Sequence, residues 1–232
     1  MTLFAEVLPL LGGRFATELG IDLKGGPPER QKWFLAAILY GARISGQIAA
    51  RTYLVFAGQG LWTPSALCAQ GWDNLVALLD AGGYARYDFK TATKLLAVME
   101  VLTARYQGDL EFLADQARDY EDLESRLRDL APGIGPATAN IFLRELRGIW
   151  AKATPPLSPL AQLAAAHLGL VPADLSPEAA LTRLAAAWEA QPVPGFDLAD
   201  LEAALVRLGR DHCRKTTGPP CPLGTRCGRR PS

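Results

Sequence analysis

The sequence has few cysteines, no excess charge of either sign and no long apolar run. Four cysteines in 232 residues are too few for a secreted disulfide scaffold. Lys plus Arg equals Asp plus Glu at 24 each, so no global positive field attracts the chain to DNA or membrane, and any polyanion must be bound by local chemistry. No stretch of roughly 18 apolar residues could span a bilayer, and the first residues lack a signal-peptide pattern. We therefore expect a cytoplasmic monomer.

The alternating β-branched runs that strands need are also missing, and helical spacing of apolar residues dominates the chain. Residues 31–40 are apolar almost all round, which is typical of a buried helix. Ser176, Pro177 and Glu178 form a helix start, with a capping serine, a first-turn proline and an early acid. We predict an all-α fold. The tryptophans expected in the core or at a lobe interface are Trp33, Trp62, Trp72, Trp150 and Trp188.

Charge is unevenly distributed along the chain. Residues 109–129 contain eight acids against three arginines, which is most simply the solvated face of a helix. Residues 207–232 contain seven bases against one acid. That basic tail is either a solubilising end or, beside its cysteines, a phosphate contact.

The most informative segment is residues 127–143, where an amphipathic helix ends at Pro132 and an alanine-rich helix follows. Gly133 and Gly135 flank Ile134, so the backbone can turn tightly and leave N–H groups exposed at the start of the second helix. Those N–H groups and the positive end of the helix dipole suit a phosphate oxygen. Ile134 is expected to point inward and hold the two helices together. An ordinary αα-hairpin explains the same glycines.

Residues 127–143 resemble the helix-hairpin-helix of the endonuclease III-like DNA glycosylase superfamily. The likeness continues in the family's order: residues 33–39 are similar to its buried helix, 83–92 to the loop that enters the duplex, and 208–213 with 221–227 to its iron–sulfur loop. The resemblance implies a two-lobed helix-hairpin-helix DNA glycosylase fold with a DNA-binding cleft between the lobes. It also implies double-stranded DNA, damaged or abasic, as the partner, and a nucleoid-associated location.

The same resemblance implies a division of the chain into two lobes. Residues 28–150 are expected to form a helical barrel that includes the hairpin at about 120–149. Residues 1–27 and 151–232 are expected to form the second lobe, which ends in the cysteine-containing loop 213–227.

The resemblance assigns DNA contacts to the hairpin and to two other segments. The hairpin contacts are Pro132, Gly133, Ile134, Gly135 and Ala137. Arg43 lies where relatives fill the gap left by an extruded base, although a surface arginine fits as well. Tyr84 takes the place of the wedge, the side chain inserted between base pairs, unless it is a partly buried loop aromatic. Lys90 follows in the same loop.

Two positions depart from the catalytic pattern of the family. Members that also cleave the backbone place a Schiff-base lysine just after the second hairpin glycine, and here Ala137 holds that place. The aspartate that stabilises the cationic sugar is replaced by Ser158, which offers only a dipole. Asp129 and Glu145 are substitutes by proximity alone, and salt-bridged helix acids are the simpler interpretation. The catalytic residues are therefore unknown.

The cysteine loop departs from the family as well. A [4Fe–4S] cluster in this family is held by four cysteines, whereas this loop has Cys213, Cys221 and Cys227, with Gly218 about where the second is expected. His212 or water could supply a fourth ligand, or the site is a relic. A cluster with an incomplete cysteine set is thus an open expectation.

Two classes of function remain. The first is a monofunctional N-glycosylase of base excision repair, a hydrolase without lysine-dependent lyase activity. The second is a catalytically inactive protein that recognises distorted or abasic DNA. The hairpin serves both, while the missing lysine and aspartate favour the second on chemical grounds.

Overall fold

The computed structural model describes residues 2–215, 221–224 and 226–228. Within these ranges the chain forms helices joined by turns and loops, and it contains no β-strand. The all-α prediction is confirmed for this part of the chain. The helices are α1 Leu3–Leu11, α2 Phe15–Glu18, α3 Pro27–Tyr40, α4 Gly46–Gly58, α5 Pro64–Gly82, α6 Asp88–Tyr106, α7 Leu110–Gln116, α8 Tyr120–Arg128, α9 Pro136–Glu145, α10 Pro159–His167, α11 Pro177–Ala190 and α12 Leu198–Leu208.

The chain divides into two compact units, one formed by Met1–Phe15 with Pro155–Ser232 and the other by Ala16–Thr154. Residues 16–27, grouped with the second lobe in the sequence analysis, thus belong to the unit that contains the hairpin. Two contacts account for this: the Ala16 N–H donates to the Glu145 carboxylate at 2.9 Å, and Arg30 donates to the Leu23 carbonyl at 3.0 Å. The cleft implied between the lobes stays a prediction.

The hairpin unit is built around α3, whose residues 33–39 are essentially unexposed. This confirms the buried helix expected from the all-round apolar pattern. The Trp33 indole donates to the Phe142 carbonyl at 3.1 Å, and the Phe34 and Phe142 rings pack edge to face with centroids 5.0 Å apart. These contacts fix α9, the second helix of the hairpin, against the core.

The end of α3 also positions the start of α9. Gly41 follows α3, and a Cβ there would overlap the Thr138 hydroxyl. The missing side chain therefore permits a close approach between the last turn of α3 and the first turn of α9. Thr138 is buried at this contact.

The unit containing both termini packs α1 and α10 against α12. Arg14 donates to Asp197 at 2.8 Å, its backbone N–H donates to Asp200 at 3.0 Å, and the Arg207 guanidinium lies 3.9 Å from the centre of the Phe15 ring. Charged groups thus join the N-terminal segment to the last long helix.

Side-chain caps begin several helices. Ser176 accepts from the Ala179 N–H at 3.2 Å, as its position before Pro177 predicts.

Within the described ranges, none of the helices has the length and apolar character that crossing a membrane requires.

Candidate nucleic-acid interface

The segment between α8 and α9 forms the predicted tight turn. Gly133 has a φ of +91°, in the left-handed region that favours glycine. Ile134 is buried as expected, and its N–H donates to the Ala131 carbonyl at 3.2 Å. The Ile134 N–H therefore closes the turn and is not available to a ligand.

The N–H groups at the start of α9 are the available donors of the hairpin. Gly135 is the N-cap residue and supplies no side chain, and no side chain caps the first turn. Pro136 has no N–H, and the Ala139 N–H already donates to the Gly135 carbonyl at 3.1 Å. Among the described residues, nothing accepts a hydrogen bond from the Gly135 or Ala137 N–H. Ala137 and Pro132 are exposed, so this edge of the turn faces solvent.

Lys94, a residue that the sequence analysis did not select, lies directly against this turn. Its Cε is 3.1 Å and its Nζ 3.7 Å from the position that a Cβ on Gly133 would occupy. Burial lowers the pKa of the Lys94 ammonium from its ordinary value. In the part of the chain that the structure describes, no carboxylate forms an ion pair with it. A partly desolvated cation without a counterion thus accompanies the free N–H groups.

A shallow hollow of about 460 Å³ flanks the same turn. Its wall contains both Arg128 and Asp129, along with Pro132 and Gly133. Arg128 is exposed and lies 3.9 Å from Glu124. The charge around the turn is therefore mixed on the α8 side and positive on the α6 side, where Lys94 lies.

Two further sequence-predicted contacts lie at the surface of the hairpin unit. Arg43 is exposed in the turn between α3 and α4, and Lys90 is exposed in the first turn of α6. Lys90 and Lys94 are four residues apart, and so share one face of α6. That spacing is the signal through which the sequence could have revealed Lys94, although its contact with Gly133 depends on the fold.

Tyr84 was expected as the wedge, and this prediction is wrong for the structure described. Tyr84 is unexposed, and its hydroxyl donates to the Leu39 carbonyl at 2.6 Å. Burial raises the pKa of the Tyr84 hydroxyl above its usual range. Its ring belongs to the core of the hairpin unit, and its hydroxyl binds a carbonyl from the last turn of α3.

The positions of the family's catalytic groups carry structural roles. Ala137 is exposed near the start of α9 and has no amine. Ser158 is the N-cap of α10, where its hydroxyl accepts from the Ala161 N–H at 3.4 Å. Glu145 is only 1% exposed and accepts from the Ala16 N–H. Asp129 is exposed at the end of α8.

The three cysteines of the C-terminal loop are all described, and they do not come together. Cys213 is buried, whereas Cys221 and Cys227 are partly exposed. Across residues 2–215, 221–224 and 226–228, no three His, Cys, Asp or Glu side chains form a group that could hold a metal ion. Gly218 lies outside the described residues. The described residues give the [4Fe–4S] cluster no support, and it stays a prediction.

The chain matches no protein-family model and no curated protein. The interpretation of the hairpin therefore depends on its geometry and on the sequence resemblance.

Proposed function

We propose that this chain is an endonuclease III-like DNA-binding protein that contacts the sugar-phosphate backbone of damaged or abasic DNA through the hairpin between α8 and α9. The observation that carries the proposal is the position of the Lys94 ammonium against Gly133, beside the uncapped first turn of α9. Main-chain donors at a helix start bind phosphate oxygen, and a nearby cation adds a charge-assisted contact. The two-lobed fold of that superfamily is part of the same proposal.

The zero net charge of the chain is compatible with this function because the positive groups are local. Arg43, Lys90 and Lys94 belong to the same unit as the hairpin, and Lys94 lacks a carboxylate partner among the described residues. Phosphate contacts supply most of the affinity of non-specific DNA binding. A few such contacts predict modest binding with a small dependence on salt.

Binding without base removal is the function that the catalytic positions support. Ser158 caps α10 and Ala137 has no nucleophile, while Glu145 is buried on a backbone N–H. Hydrolysis of an N-glycosidic bond needs a group that stabilises the cationic sugar, and a serine dipole is a weak substitute for a carboxylate. Recognition of distorted DNA requires none of these groups.

The pair Gly135→Asp and Gly135→Ala tests the proposal. Gly135 has a φ of −102° and a ψ of 177°, which any residue adopts, and beyond its chain neighbours no heavy atom lies within 4 Å of the position of an added Cβ. An aspartate there would cap α9 and occupy the N–H groups with its own carboxylate. We expect Gly135→Asp to leave thermal stability equal or slightly raised while lowering affinity for all duplexes about 10-fold or more, because it removes a phosphate contact and adds a negative charge.

The control is Gly135→Ala, which adds the Cβ without the carboxylate and should bind DNA nearly as wild type does. Affinity is measured by fluorescence anisotropy with duplexes of one sequence, intact or containing an abasic site, at low and moderate salt. Wild-type affinity in Gly135→Asp would contradict the proposed use of the hairpin.

A further inference from the structure

The hairpin unit exposes two aromatic rings in contact with each other. Trp72 is 39% exposed and Phe89 is 58% exposed. Their ring centroids are 5.3 Å apart, with the ring planes inclined at 40°. Trp72 was expected in the core or at a lobe interface, and within its unit it lies instead at the surface. Two adjacent large rings left in solvent are an unusual use of apolar surface.

The backbone and hydrogen bonds hold these rings in place. Gly71 has a φ of +71°, which interrupts the helical path of α5 immediately before Trp72. The Trp72 indole N–H donates to the Thr93 hydroxyl at 3.0 Å, and that hydroxyl donates to the Phe89 carbonyl at 3.0 Å. The Trp72 indole is therefore held to the first turns of α6, beside the Phe89 ring. Ordering the rings in advance lowers the entropic cost of binding a flat partner.

Helix α6 connects the rings to the proposed phosphate-binding turn. Phe89 and Lys94 are five residues apart on α6, about 7.5 Å along the helix axis and about 140° around it, and Lys90 lies between these two directions. Lys90 is exposed next to Phe89, and Arg86 is exposed just before α6. Three acids flank the rings: Asp73, which is exposed, Asp88, which accepts from the Phe89 N–H at 2.7 Å, and Asp80, which is exposed next to Asp88.

We propose that the Trp72–Phe89 pair is a stacking surface for an unpaired base of the DNA strand whose backbone contacts the hairpin. This inference rests on the proposed function, and it adds a preference for DNA that contains unpaired bases. Every base presents a π-face to an aromatic ring, so such stacking tolerates all sequences. Lys90, exposed beside Phe89, can meet the phosphate of a stacked nucleotide, a contact that a neutral apolar segment of a protein would leave unused.

The test compares Phe89→Ala with wild type on two ligands, a fully paired duplex and the same duplex with a short single-stranded gap. Phe89 is largely exposed, so its removal should not affect folding. We expect affinity for gapped DNA to fall at least about fivefold and affinity for paired duplex to change little. Phe196→Ala is the matched control, since Phe196 is an exposed aromatic of the other unit.

A second readout is the intrinsic fluorescence of Trp72. The Trp72→Phe variant removes that fluorophore. The quenching of Trp72 is therefore the difference between the quenching that gapped DNA causes in wild type and in Trp72→Phe, and it reports contact at the pair. We expect gapped DNA to quench this component and paired duplex to leave it almost unchanged.

Four outcomes overturn the inference. Unchanged binding of both ligands by Phe89→Ala would remove the rings from the interface while leaving the hairpin proposal intact. An equal loss for both ligands would show a general contact without base stacking. A change in oligomeric mass with unchanged DNA affinity would assign the rings to a protein contact. Failure of wild type to bind either DNA would reject the proposed function together with the stacking surface.

Discussion

Replacing Lys94 with methionine should change protein stability and DNA affinity in opposite directions. Methionine keeps the apolar stem that contacts Gly133 and removes the ammonium. Burial lowers the pKa of Lys94, so its charged form is disfavoured in the folded protein. We therefore expect the free energy of unfolding of Lys94→Met to be equal to that of wild type or up to about 0.5 kcal/mol higher at neutral pH.

DNA binding should respond with the other sign. A lysine that neutralises one phosphate contributes about 0.9 to the slope of log affinity against log salt. Lys94→Met should therefore reduce the magnitude of that slope by about 0.9 and weaken binding about 10-fold at low salt, the cost of a charge-assisted hydrogen bond. A residue with only a structural role would lower stability and affinity together. The control is Lys24→Met, since Lys24 is exposed and lies in the short Leu23–Gly25 turn.

The pH dependence provides an independent check. Because the pKa of Lys94 is lower in the folded than in the unfolded protein, the unfolded state binds more protons between the two values. The resulting loss of stability is fully present at pH values below the pKa that Lys94 has in the folded protein. It disappears as the pH rises towards the pKa that Lys94 has in the unfolded protein. Over that range the free energy of unfolding should increase in wild type and stay constant in Lys94→Met. DNA binding needs the ammonium and weakens over the same rise. Equal salt slopes in wild type and Lys94→Met would refute the assignment of Lys94 to a phosphate.

Two further substitutions test roles that the structure gives to Tyr84, first expected as the wedge, and to Ser158, at the position of the catalytic aspartate. Tyr84→Phe removes the hydrogen bond to the Leu39 carbonyl and should lower the free energy of unfolding by about 1–2 kcal/mol in urea titrations, while DNA affinity stays the same; a selective loss of affinity would return Tyr84 to the interface. Ser158→Asp should leave the free energy of unfolding within about 0.5 kcal/mol of wild type, because aspartate caps a helix as well as serine does; a larger drop would mean that Ser158 does more than cap α10.

Local sequence patterns predicted the helices and the hairpin because the physical causes are themselves local. Apolar spacing identified α3 as a buried helix, and Ser176 before Pro177 marked the start of α11. The turn at Gly133 required a left-handed conformation, which its glycine indicated. Each of these features depends on residues within one or two turns of helix.

The side-chain environment of the site could not be read in the same way. Tyr84 is buried, and its hydroxyl finds a partner in the Leu39 carbonyl, 45 residues away in sequence. Lys94 can lie against the hairpin because Gly133, in the turn between α8 and α9, has no side chain. Trp72 is exposed directly after Gly71, whose left-handed backbone interrupts the helical path of α5. In each case the decisive partner or backbone angle belongs to the three-dimensional arrangement, and sequence spacing alone does not specify it.

The contacts made by the acids that precede the hairpin are compatible with the proposed phosphate contact in a chain of zero net charge. Asp109 and Asp119 cap α7 and α8 by accepting backbone N–H groups. Asp122 accepts from the Arg118 backbone N–H and from the guanidinium groups of Arg126 and Arg118, and these contacts hold the pKa of its carboxyl below the usual range. These carboxylates are therefore engaged within their own helices, where they are not ion-paired with Lys94. The acids of this segment are thus engaged in contacts within it, and the proposed DNA contacts fall to cations elsewhere in the hairpin unit, Arg43, Lys90 and Lys94. Because only those cations release counterions from DNA, the salt slope of the whole protein should be small, and the loss of a single one, Lys94, should remove a measurable share of it.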